Sequence, residues 1–130
     1  MSLVYNDLSG PITVIEELPI LYDLDLSFNN FTGEIPSDIL NRGYYNYFNV
    51  ESNSLEGTLP SPLGLLEEIS YVNFASNNLS GCIPESYSIF CSPYITIYVD
   101  FNGCLSHNAY FPNFCNNTAC ESLPDGSTCP

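Results

Sequence analysis

The sequence predicts an α/β solenoid: short parallel strands stacked on a concave face, second short strands and 3₁₀ turns elsewhere, and few regular helices. Three observations predict it. The chain repeats at about 24 residues, apolar residues alternate before a recurrent asparagine, and a glycine and an Ile-Pro pair follow at fixed distances. A period of this length marks a stack of supersecondary units, none of which can bury its apolar face alone.

Each coil is anchored by an asparagine: Asn6, Asn29, Asn53, Asn77 and Asn102. Five residues earlier stand Met1, Leu24, Phe48, Val72 and Ile97, and three earlier Leu3, Leu26, Val50, Phe74 and Val99. Apolar-x-apolar is a strand with one buried face. The asparagine then turns the chain, and its amide can satisfy backbone groups that water does not reach, so stacked copies predict an asparagine ladder. Leu8, Phe31, Leu55 and Leu79 follow two residues on, with Cys104 in the last copy. Gly10, Gly33, Gly57 and Gly81 allow a tight backbone, and Ile12, Ile35, Leu59 and Ile83 come next. Pro36, Pro60 and Pro84 end the second extended piece, with Thr13 in their place in the first copy. Residues 38–42 and 62–68 are expected to cross the convex side as irregular or 3₁₀ turns.

The segment from Leu21 to Pro36, LYDLDLSFNNFTGEIP, resembles the plant-type leucine-rich repeat L-x-x-L-x-L-x-x-N-x-L-x-G-x-I-P. Repeats of this kind occur in plant receptor ectodomains and polygalacturonase-inhibiting proteins. The resemblance covers about residues 1–104 and implies a right-handed leucine-rich-repeat solenoid with a recognition role. Residues 1–103 then form about five repeats, the first without an N-terminal cap and the last degenerate, and residues 104–130 a Cys-rich C-terminal cap or tail. Met1-Ser2-Leu3 runs straight into patterned sequence, which reads as a processed or excised segment.

Six cysteines (Cys82, Cys91, Cys104, Cys115, Cys120 and Cys129) and three sequons, at Asn30, Asn78 and Asn116, predict a secreted or cell-surface glycoprotein with disulfide bonds. Cys82 and Cys91 flank one convex loop and are the first pair expected to join; six cysteines permit fifteen pairings, so the others stay open. Fifteen acidic residues face one basic residue, Arg42, for a formal charge of −14, a balance that disfavours nucleic acid and anionic membrane surfaces as partners. No apolar run reaches the length of a membrane span.

The outward positions of the strand stack are the expected ligand-binding surface: Asp23, Tyr47 and Tyr71, then Asp25, Asn49, Asn73 and Tyr98, then Ser27, Glu51 and Asp100. Strands lie about 4.8 Å apart, so each column is a stripe of acids, amides and rigid aromatic rings. Asp23 and Asp25 share a face, but two carboxylates fall short of the six or more oxygens calcium usually takes, and no metal or other cofactor is expected. His107 is the single histidine, with no G-x-S-x-G elbow, C-x-x-C pair or phosphate loop beside it, so no enzyme activity is expected. The expected partner is a protein, peptide or carbohydrate on the concave face. The alternative is self-association through the uncapped first coil, end to end, as in a structural filament subunit.

Overall fold

The computed structural model describes residues 1–17, 21–37, 39, 45–60, 69–81, 83, 86–87, 91, 93–99, 102 and 104–105. In chain order the elements are β1 (Ser9–Pro11), a 3₁₀ helix (Ile12–Glu17), β2 (Asp23–Asp25), β3 (Asn30–Glu34), β4 (Tyr47–Asn49), β5 (Ser54–Glu56), β6 (Tyr71–Asn73), β7 (Ser80–Gly81), β8 (Thr96–Tyr98) and β9 (Cys104–Leu105). They form three parallel arrays. The principal sheet has the order β2-β4-β6-β8, a second sheet runs β1-β3-β5, and β7 pairs with β9.

Register is strict. Leu24, Phe48, Val72 and Ile97 are successive partners across the principal sheet, each one coil from the next. All four point inward and are buried, as are Leu26, Val50, Phe74 and Val99 two residues later. Phe31, Leu55 and Leu79 fill the core from the second array, and Ile12, Ile35, Leu59 and Ile83 close the turn after each glycine. These residues belong to a single cluster, a shared spine that no one coil could make. Tyr45 and Ile69, at the first apolar position of the repeat that Leu21 holds one coil earlier, and Tyr87, outside the repeat consensus, complete it, the Tyr87 ring lying 6.4 Å from that of Phe74.

The asparagines fasten the coils together. Asn53 Nδ2 donates to the carbonyls of Val50 and Glu51 in its own coil and of Leu26 in the coil before, at 3.0 to 3.2 Å. Its Oδ1 accepts from the Phe31 N–H, again one coil back, at 3.0 Å. Asn29 and Asn77 repeat the pattern, accepting from Leu8 and Leu55, and Asn102 accepts from Leu79. Each amide thus satisfies main-chain groups of two coils where strand pairing has ended.

The residue before each of the first four ladder asparagines takes a left-handed conformation: Tyr5, Phe28, Ser52 and Ser76 have φ of 54°, 56°, 53° and 55°. That is unusual for bulky side chains, and its recurrence ties the strain to the turn rather than to any one residue. Gly57, at φ 83°, answers a second constraint, because an added Cβ there would come within 2.8 Å of Glu34 Cγ.

The first coil is joined to the sheet on one side. Ser2 bridges Asp25: the Leu3 N–H donates to the Asp25 carbonyl at 2.8 Å and the Asp25 N–H to the Met1 carbonyl at 3.0 Å. Met1, Leu3 and Leu8 stay partly exposed where their equivalents in later coils are buried. The expected crossings at 62–68 and most of 38–42 lie outside the described residues, but Ile12–Glu17 shows a 3₁₀ turn at the matching stage of the first coil. Cys91 is disulfide-bonded, while Cys82, Cys115, Cys120, Cys129, Asn116 and His107 lie outside the described residues, with most of the expected cap. Among the described residues no helix is long and apolar enough to cross a membrane.

Candidate functional site

Because strand side chains alternate, the register that buries Leu24, Phe48 and Val72 sends their flanking residues to the opposite face. Asp23 is therefore the partner of Tyr47, which pairs with Tyr71, which pairs with Thr96; the next column runs Asp25, Asn49, Asn73, Tyr98. The Tyr47 and Tyr71 rings lie nearly parallel, with centroids 4.5 Å apart and planes 5° apart. Tyr98 continues the row at 5.9 Å, tilted by 53°. A stacked row is rigid contact area that costs little further ordering on binding.

A hydrogen-bonded lattice holds the rings. Tyr47 donates its hydroxyl proton to Asp25 Oδ2 at 3.2 Å and accepts from Asn49 Nδ2 at 3.2 Å. Asn73 Nδ2 reaches both the Tyr71 hydroxyl, at 3.1 Å, and Glu51 Oε2, at 3.0 Å. The same column caps the strand ends: Asp25, Asn49 and Asn73 accept from the main-chain N–H of Ser27, Glu51 and Ala75 at 2.9 to 3.0 Å. Asp25 Oδ1 also takes the Ser27 hydroxyl, at 2.6 Å. Burial raises the Tyr47 and Tyr71 hydroxyls above the ordinary tyrosine range; the asparagine bonds oppose this, and the Asp25 charge near Tyr47 and the Glu51 charge near Tyr71 add to it.

The ten residues expected on this surface divide by role. Asp23, Asp25, Tyr47, Glu51, Tyr71 and Tyr98 are exposed or partly exposed. Ser27, Asn49 and Asn73 are buried, the two asparagines only 5% and 4% exposed, because neighbouring tyrosines and carboxylates cover them. They hold the surface rather than present themselves on it. Asp100 lies outside the described residues. The Met1 ammonium is engaged by the main-chain carbonyl of Asp23.

A second aromatic pair was not anticipated. Tyr5, 74% exposed, stacks on Phe28, 36% exposed, at 4.3 Å and 11°. Both occupy the left-handed position before the asparagine, and the adjacent aromatics in that column, followed by serine in the next two coils, were the available signal. Elsewhere, a depression of about 410 Å³ lies beside the second sheet, lined by residues such as Glu34, Ser37 and Thr58. Among the described residues no three His, Cys, Asp or Glu side chains converge as a metal site.

Residues 21–41 match the family model described as Leucine Rich Repeat. A chain of the BIR3–SERK2 complex from Arabidopsis thaliana is similar at 35% identity and a TM-score of 0.66, over 80% of this chain and 54% of that one. The BIR2 ectodomain from the same plant matches at 33% identity and 0.64, over 80% and 54%. The leucine-rich-repeat ectodomain of the Arabidopsis receptor kinase SOBIR1 matches at 29% and 0.60, over 81% and 57%. The chain spans about half the length of these proteins. No curated protein matches the sequence significantly. The coils are leucine-rich repeats, and the architecture is the leucine-rich-repeat solenoid of plant receptor ectodomains.

Proposed function

We propose that this chain is an extracellular, non-enzymatic recognition segment that binds a protein or peptide across the concave principal sheet. The observation that carries the reading is the Tyr47–Tyr71 stack, locked by Asp25, Asn49 and Asn73. A side-chain lattice fixed before contact leaves less entropy to lose on binding, which favours recognition over a merely solvated strand face. Similarity to receptor-kinase ectodomains, one of them solved in a protein complex, supports a protein partner over a carbohydrate and does not favour end-to-end stacking.

Extracellular placement agrees with Asn30 and Asn78, both exposed and each directly following a ladder asparagine. They sit two coils apart, on the order of 10 Å from each other. Glycans on both would shield that edge and leave the principal sheet as the open surface.

Site-specific photo-crosslinking tests the proposal. A benzophenone side chain replaces Thr96 or Tyr98 on the principal sheet, or Glu56 on the second sheet, and the protein is exposed to extracellular fluid of its source. Protein adducts from positions 96 and 98 but not 56 are expected. Adducts confined to position 56 contradict the assignment of the surface.

A further inference from the structure

The acidic charge of this chain is barely neutralised from within. Fifteen carboxylates accompany one basic side chain, Arg42, and the segments that build the principal sheet (21–28, 45–52, 69–76 and 93–99) carry Asp23, Asp25 and Glu51 but no lysine or arginine. Beside that charge stands an aromatic face. Stacking on Tyr71 of the following coil uses one face of Tyr47; the other is turned toward the preceding coil, where Asp23 is its register partner and Asp25 receives its hydroxyl proton. Asp25 is already engaged at both oxygens, by Ser27 and by Tyr47, so it fixes the ring and supplies field. Asp23 is exposed and one strand residue away from the bonded lattice.

We propose that Tyr47, Asp23 and Asp25 form a site for a cationic side chain, an arginine or lysine carried on an extended segment of a protein partner. The inference rests on the principal sheet being the recognition surface and names the chemistry that surface selects. A tyrosine face attracts a guanidinium or ammonium group through its quadrupole, and the two carboxylates balance its charge. Glu51, one coil further on and held by Asn73, offers a third carboxylate to a neighbouring basic residue. Acidic segments are repelled by the −14 charge before they dock.

The test selects a random peptide library, displayed on phage, against the full chain. Enriched sequences are expected to be rich in Arg and Lys. Their binding weakens as added salt shortens the Debye length from about 30 Å to about 3 Å. D23N lowers affinity roughly 2- to 5-fold, the range of an exposed ion pair. Y47L lowers it roughly 2- to 30-fold, whereas Y47F, which keeps the ring, retains most of it. E34Q/E56Q removes two charges from the second sheet and changes affinity less than about twofold, since those groups act only through screened distance. Circular dichroism confirms that each variant is folded. Peptides without basic residues that still depend on Tyr71 and Thr96 overturn the cationic site and leave the recognition surface standing. Binders indifferent to Tyr47, Tyr71 and Thr96 overturn both, as does a selection that enriches nothing. An equal loss from D23N and E34Q/E56Q overturns the site in favour of diffuse attraction.

Discussion

Replacing Asn53 with alanine removes one acceptor and one donor from the middle of the asparagine ladder, and the consequences can be worked out group by group. The carbonyl of Leu26 keeps Asn29, that of Val50 keeps Asn77, and that of Glu51 keeps the Phe28 N–H. The Phe31 N–H loses its Asn53 acceptor in a coil whose side chain is buried. A fully buried orphan donor costs about 1–3 kcal/mol; this one is part-buried and stands at the lower end, and with three weakened carbonyls adding about 1 kcal/mol together, a loss of about 2–3 kcal/mol is expected. Asn6, exposed and donating only to Leu3 and Val4, is the control, with a loss under about 1 kcal/mol on mutation to alanine. Urea denaturation with disulfides intact, followed by far-ultraviolet circular dichroism, measures both. Equal losses for N53A and N6A would refute the view that the amides bind adjacent coils together. Asn53→Asp provides a further check, since a carboxylate keeps the acceptor but turns negative charge toward the carbonyls, and it should be at least as damaging as alanine.

Four further outcomes follow from the same geometry. Gly57→Ala should cost about 1–2 kcal/mol more than backbone strain alone, with part of the loss recovered by E34A; Gly10→Ala, with open space at its Cβ, isolates the strain, and equal losses at the two positions would contradict the contact with Glu34. Phe74→Ala, at the centre of the spine, should cost about 3–5 kcal/mol by thermal or urea unfolding, and a loss under about 1 kcal/mol would mean that the core is not shared. Tyr5→Ser and Phe28→Ser should each change stability by less than about 1 kcal/mol in the same unfolding assay, because serine already occupies that left-handed column at positions 52 and 76. Tyr47 and Tyr71 have folded pKa values above the unfolded value of about 10, so their contribution is complete below that pH and is lost as pH rises through the folded values. Tyrosinate absorbance should show them ionising after free tyrosine, and Y71F should flatten the loss of stability at alkaline pH; ionisation together with free tyrosine would contradict it.

The spine and the strands were legible because each inward position recurs in several coils, so Leu24, Phe48 and Val72 confirm one another where any one alone would be ambiguous. Tyr45 and Ile69 share the first apolar position of the repeat with Leu21 and were legible in the same way. Tyr87 was not, because it falls outside the repeat consensus, and only the packed structure shows it turned inward. The outward face was legible as a set of columns, but alternation says which side a residue takes and not what covers it. Asn49 and Asn73 are hidden because each lies under a tyrosine two residues away and caps its own strand, a tertiary arrangement that no periodicity encodes. The Tyr5–Phe28 pair escaped notice because its column changes character along the chain.

The register of the spine is most directly measured by nuclear Overhauser contacts between inward side chains in labelled protein. Leu24 should contact Phe48, Phe48 should contact Val72, and Val72 should contact Ile97, in that order. Leu24 and Ile97, three strand spacings or roughly 14 Å apart, should show no contact. A direct contact between Leu24 and Ile97, or the absence of contact between neighbouring members of the row, would contradict the stack of coils on which both the surface and its proposed role depend.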